Sequence, residues 1–272
     1  MEQKKRLIWL DVLRSFAICC VVLCHSTEAF YSLTNLSYMN ALSMPSHIFS
    51  LISFTIGRIG VPIFLFISGY LLLNREYDCP EEKVVKFWKK NLLSLLITVE
   101  IWIVIYNILI NISNNTSLSV VGILRNMLFL NSVGLSHMWY IPMILGMYLF
   151  LPFVSKVLHS FSTKFLLFPL CIAIFYLFIV PMINLIFKAF QLKEIGSLIS
   201  FEFIGGVYGI YLILGYLCKR GVLKNIKTKY LVLFSATMFI ITILLQLYLT
   251  SKGIAYACLL YTSPSPRDPK TS

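Results

Sequence analysis

Stretches of about twenty apolar residues recur along this chain, each long enough as a helix to cross a bilayer core of about 30 Å. They run from Leu7 to Thr27, Ile48 to Leu73, Leu92 to Ile112, Met138 to Val157, Phe165 to Ile186, Phe201 to Cys218 and Tyr230 to Thr250, and another begins at Ile254. The pattern implies an all-α fold: a polytopic transmembrane helix bundle of about seven complete spans plus a truncated eighth. With 58% hydrophobic residues, 12% charged residues and a mean hydropathy of +0.84, the composition excludes a soluble domain.

Lys and Arg resist translocation, so their distribution orients such a bundle. With a cytoplasmic N-terminus, the cytoplasmic segments hold the clusters Lys4 to Arg6, Lys83 to Lys90 and Lys219 to Lys229, whereas the outer segments hold only Arg125, Lys188, Lys193 and Lys252. The formal net charge of +12 then follows from topology and attraction to anionic lipid, and it implies no nucleic-acid partner. The apolar run Phe16 to Cys24 follows a basic start, as in a secretory signal. Asp11 and Arg14 interrupt that helix and no A-x-A-like site follows Ser26, so it reads as an uncleaved first span. Cys19, Cys20 and Cys24 precede His25 without any CxxC; they read as small apolar core residues, and no metal site is expected.

No linker or repeat divides the sequence, so residues 1–261 read as one integral-membrane domain. The segment 262–272, TSPSPRDPKTS, can neither span nor pack and reads as a disordered, non-native tail after a C-terminally incomplete domain. In the polar segment before the third span, Lys83 to Lys90 form an amphipathic turn or two with Trp88, suited to a membrane surface or an anionic cofactor. The run VVGILRNMLFL reads as a short interfacial helix.

Charged groups within spans are costly, which makes each a candidate for function. Arg14 and His25 are eleven residues apart, about 20° more than three full turns. Both therefore leave one face of the first helix about 16 Å apart along its axis. Asp11 is three residues before Arg14 and close enough to pair with it. Glu28 is three residues beyond His25 and could orient the second ring nitrogen, leaving the first to exchange protons at ordinary pH. In the second span, Arg58 lies among Gly57, Gly60 and Gly69, with Pro62 freeing a carbonyl and Ser68 able to satisfy one, so a broken helix at Pro62 beside a cavity is expected. His47 precedes Arg58 by eleven residues; on an antiparallel helix this spacing places His47 with His25 and Arg58 nearer the depth of Arg14. Glu100 or Glu202 could pair with Arg58. His137 and Trp139 stand at the outer mouth of another span, and Gly205 with Gly209 forms a GxxxG expected to pack helices.

These residues resemble the membrane acyltransferase-3 family, in particular its surface-polysaccharide O-acyltransferase-like branch. The likeness rests on LDVLRSFAICCVVLCH with its Arg-x10-His, on RIGVPIFLFISGYLL, on HMWYIP and on GYLCKR. It implies a multi-pass enzyme of the bacterial cytoplasmic membrane that uses acetyl-CoA or another acyl-CoA as co-substrate, with no permanently bound cofactor. The acceptor implied is a hydroxyl of a surface polysaccharide or lipid-linked glycan. Arg14 and His25 match the family's essential pair; Asp11, Arg58, Ser68, His137 and Trp139 match frequent motif positions. The family's basic Arg-x2-Arg appears here as Lys86 and Lys89, which keeps the charge and loses the bidentate phosphate fork. Buried charges and a broken helix would equally suit a transporter of an anionic solute or polysaccharide, and the short C-terminus an inactive fragment.

Overall fold

The computed structural model describes residues 7–33, 35–75, 77, 80–130, 139–196 and 199–254; the expected eighth span and the tail lie outside them. Among the described residues the regular structure is helical, without strands. Six helices among the described residues are long and apolar enough to cross a membrane: Ile8–Tyr31, Met44–Leu73, Glu81–Ser113, Tyr140–His159, Thr163–Ala189 and Thr228–Ser251. The span expected from Phe201 to Cys218 is a shorter helix, Gly206–Lys219, which rises about 21 Å. Gly205 at φ 81° is the reason: this left-handed residue separates a 3-10 turn, Glu202–Ile204, from the helix proper. The chain forms two compact units, residues 1–74 with 161–272, and residues 75–160.

In the first unit, α1 (Ile8–Tyr31) is one uninterrupted helix that ends where Ser32 turns left-handed at φ 43° and its N–H donates to the Glu28 carbonyl. A short helix, α2 (Leu36–Ala41), is capped by Asn35, whose side chain accepts from the Tyr38 N–H. It leads to α3 (Met44–Gly57), which returns along α1. The second span is broken as expected, but at Arg58 and Ile59 rather than at Pro62. Pro62 lies in the first turn of α4 (Gly60–Ser68), where its missing N–H breaks no helical bond. A π-helical turn, Gly69–Leu73, extends α4.

Glycine sets how closely these helices approach. A Cβ on Gly57 would lie 2.5 Å from the Cys24 nitrogen, and one on Gly60 would lie 2.7 Å from the Ala17 carbonyl oxygen and from Val21 Cγ2. Rising numbers on α3–α4 thus meet falling numbers on α1, so the pair is antiparallel with a fixed register. The helices α9 (Thr163–Ile174) and α10 (Val180–Ala189) follow, joined by a second π-helical turn, Phe175–Ile179. Helix α11 (Gly206–Lys219) then lies parallel to α4: Leu212 meets Gly69, and four residues on the Tyr216 carbonyl accepts from Asn74 Nδ2, five residues past Gly69. A Cβ on Gly69 would overlap the Leu212 carbonyl, one on Gly215 would overlap the Phe66 carbonyl, and the Lys219 ammonium sits 5.3 Å from the Tyr70 ring. The expected GxxxG does not join two helices: Gly205 is the left-handed cap, and a Cβ on Gly209 would meet the carbonyl of Ile204 at the start of its own helix. After the turn at Gly221, α12 (Thr228–Ser251) reverses α11 and so runs antiparallel to α3–α4. Its Ile243 joins Cys24, Leu33, Met39, Leu51 and Phe54 in one buried cluster. Cys20 and Cys24 are core residues as expected, whereas Cys19 is exposed.

The second unit contains α5 (Pro80–Phe87), a third π-helical turn (Trp88–Leu92), α6 (Leu93–Ser113), α7 (Val120–Met127) and α8 (Tyr140–His159). Helix α7 is the expected short amphipathic element, capped by Ser119, whose Oγ accepts from the Gly122 N–H. Asn126 ties it to α6 by donating to Asn107 Oδ1 at 2.8 Å. At the end of α8, Ser155 Oγ donates to the Arg75 carbonyl at 3.0 Å, and His159 Nδ1 lies 2.8 Å from the Ser155 carbonyl.

Space around the glycines differs sharply, which yields a paired test. Gly215→Ala forces α11 away from α4 and is expected to lower the melting temperature of the solubilised protein by several degrees. Gly146→Ala, on the open side of α8 where nothing lies within 4 Å, leaves it unchanged or raises it slightly.

Candidate active site

On α1, Arg14, Ile18, Val21 and His25 recur at offsets of four, three and four residues, which keeps them within one narrow stripe. The Arg14 side chain is 46% exposed, Ile18 57% and the His25 side chain 37%, while Val21 is half-buried where it packs at Gly60. Both ends are polar and the middle is apolar. At the first end Arg14 Nη1 donates to Asp11 Oδ1 at 3.1 Å, as their spacing implies. At the other, Glu28 Oε2 lies 3.6 Å from His25 Nδ1. That separation is beyond an ordinary hydrogen bond but within ion-pair range. A carboxylate on that side favours the proton on Nδ1 and leaves Nε2 as the acceptor.

The register of α1 against α3 decides what else stands near His25. Gly57 touches Cys24, so the next residue, Arg58, lies at the depth of Cys24 and His25. This corrects the expectation that Arg58 lies nearer Arg14. His47 is likewise displaced: ten residues before Gly57, it lies about 15 Å beyond His25 instead of beside it. Spacing along each helix was read correctly; the offset between helices was not. Arg58 follows Gly57 by about 100° on α3, and His25 follows Cys24 by about 100° on α1. Because the helices are antiparallel, both rotations turn toward the same side of their seam. Arg58 is half-buried, with its guanidinium carbon 5.4 Å from the centroid of Phe54, a cation–π contact that offsets part of its desolvation.

Ser68 belongs to the Arg14 end. Eight residues past Gly60 carry it about 12 Å along α4, and two residues later Tyr70 meets Trp9 edge-on at 5.2 Å. The first unit therefore holds two tiers, Asp11, Arg14 and Ser68 at one depth and His25 with Arg58 at another. Of the carboxylates considered for Arg58, Glu202 is exposed; Glu100 belongs to the second unit, where its Oε2 is buried without a hydrogen-bond partner among the described residues.

In the second unit, Lys86 and Lys89 occupy the exposed face of α5 and its π-helical turn. With Glu81, Glu82, Val85 and Lys90 they line an open depression whose two carboxylates offset two of its three ammonium charges. The opposite face is anchored. Trp88 Nε1 donates to the Leu149 carbonyl at 3.1 Å and its ring lies 6.1 Å from Phe153, while Phe87 packs on Tyr77 and Tyr148. Burial pushes the Tyr77 hydroxyl pKa up, with Arg75 pulling the other way, so it stays a neutral phenol. Trp139 is half-buried just before α8 and meets Tyr140 edge-on at 6.2 Å; His137 lies outside the described residues. One residue was missed altogether: Gln246, 1% exposed on α12. Its signal was present, an amide alone in the apolar run FIITILLQLYL.

Replacing Trp88 by Phe keeps the ring and removes the bond to Leu149, a loss of about 1 kcal/mol. Faster protease cleavage within residues 80–92, with the rest of the chain unchanged, is the expected result.

Across residues 7–265 the sequence matches the acyltransferase domain family, type 3. No curated protein and no solved structure matches it. A match of that extent, on a chain whose described residues include six helices long enough to cross a membrane, makes the protein a member of the acyltransferase-3 family and a membrane acyltransferase.

Proposed function

We propose that the protein moves an acyl group, acetyl in the simplest case, from cytosolic acyl-CoA to a hydroxyl of a cell-envelope polysaccharide or lipid-linked sugar, with His25 as general base. The observation that carries this reading is the stripe on α1: an exposed guanidinium at one end, a partly exposed imidazole about 16 Å away at the other, and apolar side chains between. Its polarity matches a donor with a phosphate head, a narrow pantetheine arm and a reactive thioester. The N-terminus and Arg14 then face the cytoplasm, in agreement with the basic clusters, and the multi-pass protein resides in the cytoplasmic membrane.

In the reaction, His25 Nε2 takes the proton of the acceptor hydroxyl as its oxygen attacks the thioester carbonyl. The new carbon–oxygen bond forms a tetrahedral oxyanion. Arg58, at the same depth and on the same side of the seam, supplies positive charge to that oxygen in a site with little water. Collapse breaks the carbon–sulfur bond, and the departing CoA thiolate recovers the proton from the imidazolium. Glu28 steadies the imidazole through Nδ1. Arg14, with Asp11 holding its side chain, meets the CoA phosphates. Ser68 borders the donor.

Vesicles carrying the protein, given labelled acetyl-CoA and a crude envelope acceptor, are expected to release CoA and transfer label. His25→Ala lowers turnover about 100- to 10,000-fold, and Arg58→Gln about 100- to 1,000-fold with little change in the KM for donor. Arg14→Gln chiefly raises that KM. Near-normal transfer by His25→Ala would falsify the base assignment, and solute counterflow without thioester consumption would favour a carrier.

A further inference from the structure

Gln246 stands in the interior of α12, on the helix face that meets α1 and α3. Neither its Nε2 nor its Oε1 has a hydrogen-bond partner among the described residues. Thr250, one turn on and also buried, satisfies its own hydroxyl by donating to the Gln246 backbone carbonyl at 2.9 Å, which leaves the side-chain amide unaided. A second orphan lies on α3, where His47 Nε2 is buried without a hydrogen-bond partner among the described residues. Beside it Ser50, fully buried, spends its hydroxyl on the His47 carbonyl at 2.8 Å.

The two orphans converge. Ile243 of α12 and Leu51 of α3 belong to one packed cluster. Gln246 is one turn past Ile243, and His47 one turn before Leu51. Because α12 and α3 are antiparallel, both turns lead in the same direction, toward the end of the unit where α1 finishes. The same cluster contains Cys24, the neighbour of His25, and Phe54, which lies under Arg58. Gln246 and His47 thus continue the seam of the reactive tier on the side away from Arg14. Both are neutral groups that donate and accept, suited to hydroxyls and unsuited to phosphates. An apolar residue would pack at position 246 without the desolvation penalty that an unsatisfied amide carries.

We propose that Gln246 and His47 form an acceptor subsite that binds hydroxyl groups of a neutral carbohydrate, at a part of the acceptor remote from the hydroxyl that reacts. The proposal rests on the reading of the protein as an O-acyltransferase with a glycan acceptor. His47 is about 15 Å beyond the depth of His25, so the pair acts through binding and orientation of acceptor, not on the reacting atoms.

The test uses the full chain in detergent and a mixture of neutral oligosaccharides cleaved from envelope polysaccharide and stripped of esters. The oligosaccharides are expected to raise the melting temperature of the wild type, and Gln246→Leu and His47→Phe to lose most of that rise. The rise produced by CoA stays the same in both variants. Without ligand, Gln246→Leu melts at or above the wild-type temperature, since it removes a buried unsatisfied amide; Gln246→Met serves as a second variant of similar shape. In turnover, Gln246→Leu raises the acceptor KM about 3- to 10-fold, the worth of one hydrogen bond, with thioester hydrolysis in the absence of acceptor unchanged. An equal oligosaccharide effect in wild type and Gln246→Leu, or none in the wild type, overturns the subsite. A CoA effect absent from the wild type while the oligosaccharide effect persists counts against the acyl-CoA reading and leaves the subsite standing.

Discussion

Contact of backbone with backbone at Gly57 and Gly60 fixes how far α3–α4 slides along α1, and the chemistry of the first unit follows from that register. In lipid, helices gain no hydrophobic drive by associating, so close packing at small residues carries much of the attraction and leaves little freedom to slide. A second seam, Gly69 and Gly215 between α4 and α11, fixes the other end, where Trp9 and Lys219 both meet Tyr70. Between these seams the second span is pinned twice. Arg58 is held at the depth of His25 and Ser68 at the depth of Arg14, so four glycines without chemistry of their own determine which reactive groups are neighbours.

That dependence explains what the sequence could and could not disclose. Features carried by one helix were legible: the common face of Arg14 and His25, the Asp11–Arg14 pair, the approach of Glu28 to His25 and the amphipathic α5 and α7 all follow from a period of 3.6 residues. Features that need two helices were not. The equal spacing of His47 and Arg58 suggested a mirror of the first span, but spacing within a helix says nothing about its offset from another. Gly57 against Cys24 moved the second span by about ten residues from that mirror. The Gly205–Gly209 pair misled for a related reason. A GxxxG pattern is the same whether its first glycine faces a partner or takes a positive φ, and Gly205 takes φ 81°. Pro62 was credited with a break that occurs at Arg58, because proline is disruptive inside a helix and harmless in its first turn.

Three π-helical turns, at Gly69–Leu73, Trp88–Leu92 and Phe175–Ile179, add a different kind of irregularity. Each widens one turn and rotates the downstream residues relative to a straight helix, so a face read from sequence drifts after it. The first follows Ser68 directly and opens with Gly69. The second contains Lys89 and Lys90, and it keeps the lysines outward while Trp88 is bonded to Leu149. Lysine offers a phosphate a point charge rather than the bidentate fork of arginine, and Glu81 and Glu82 offset part of the charge of Lys86 and Lys89. On the proposed reading this shifts the weight of donor binding onto Arg14, whose guanidinium is held by Asp11.

The polar groups of the first unit are graded along the seam, and the gradient agrees with two chemically different substrates. Arg14 is exposed and ion-paired, Arg58 is half-buried against an aromatic face, and the Gln246 amide and His47 Nε2 are buried without hydrogen-bond partners among the described residues. A charged headgroup arrives with tightly bound water and is best met by a hydrated cation, since burying both charges would cost more than their attraction returns. A neutral sugar hydroxyl exchanges its water bonds at little cost, so it can be met deeper, by amide and imidazole. On the proposed reading the reacting centre falls between, where a thioester carbonyl develops negative charge only in the transition state. A half-buried arginine suits that position: fully hydrated it would stabilise the oxyanion weakly, and fully buried without a counter-charge it would not persist as a cation in the resting protein.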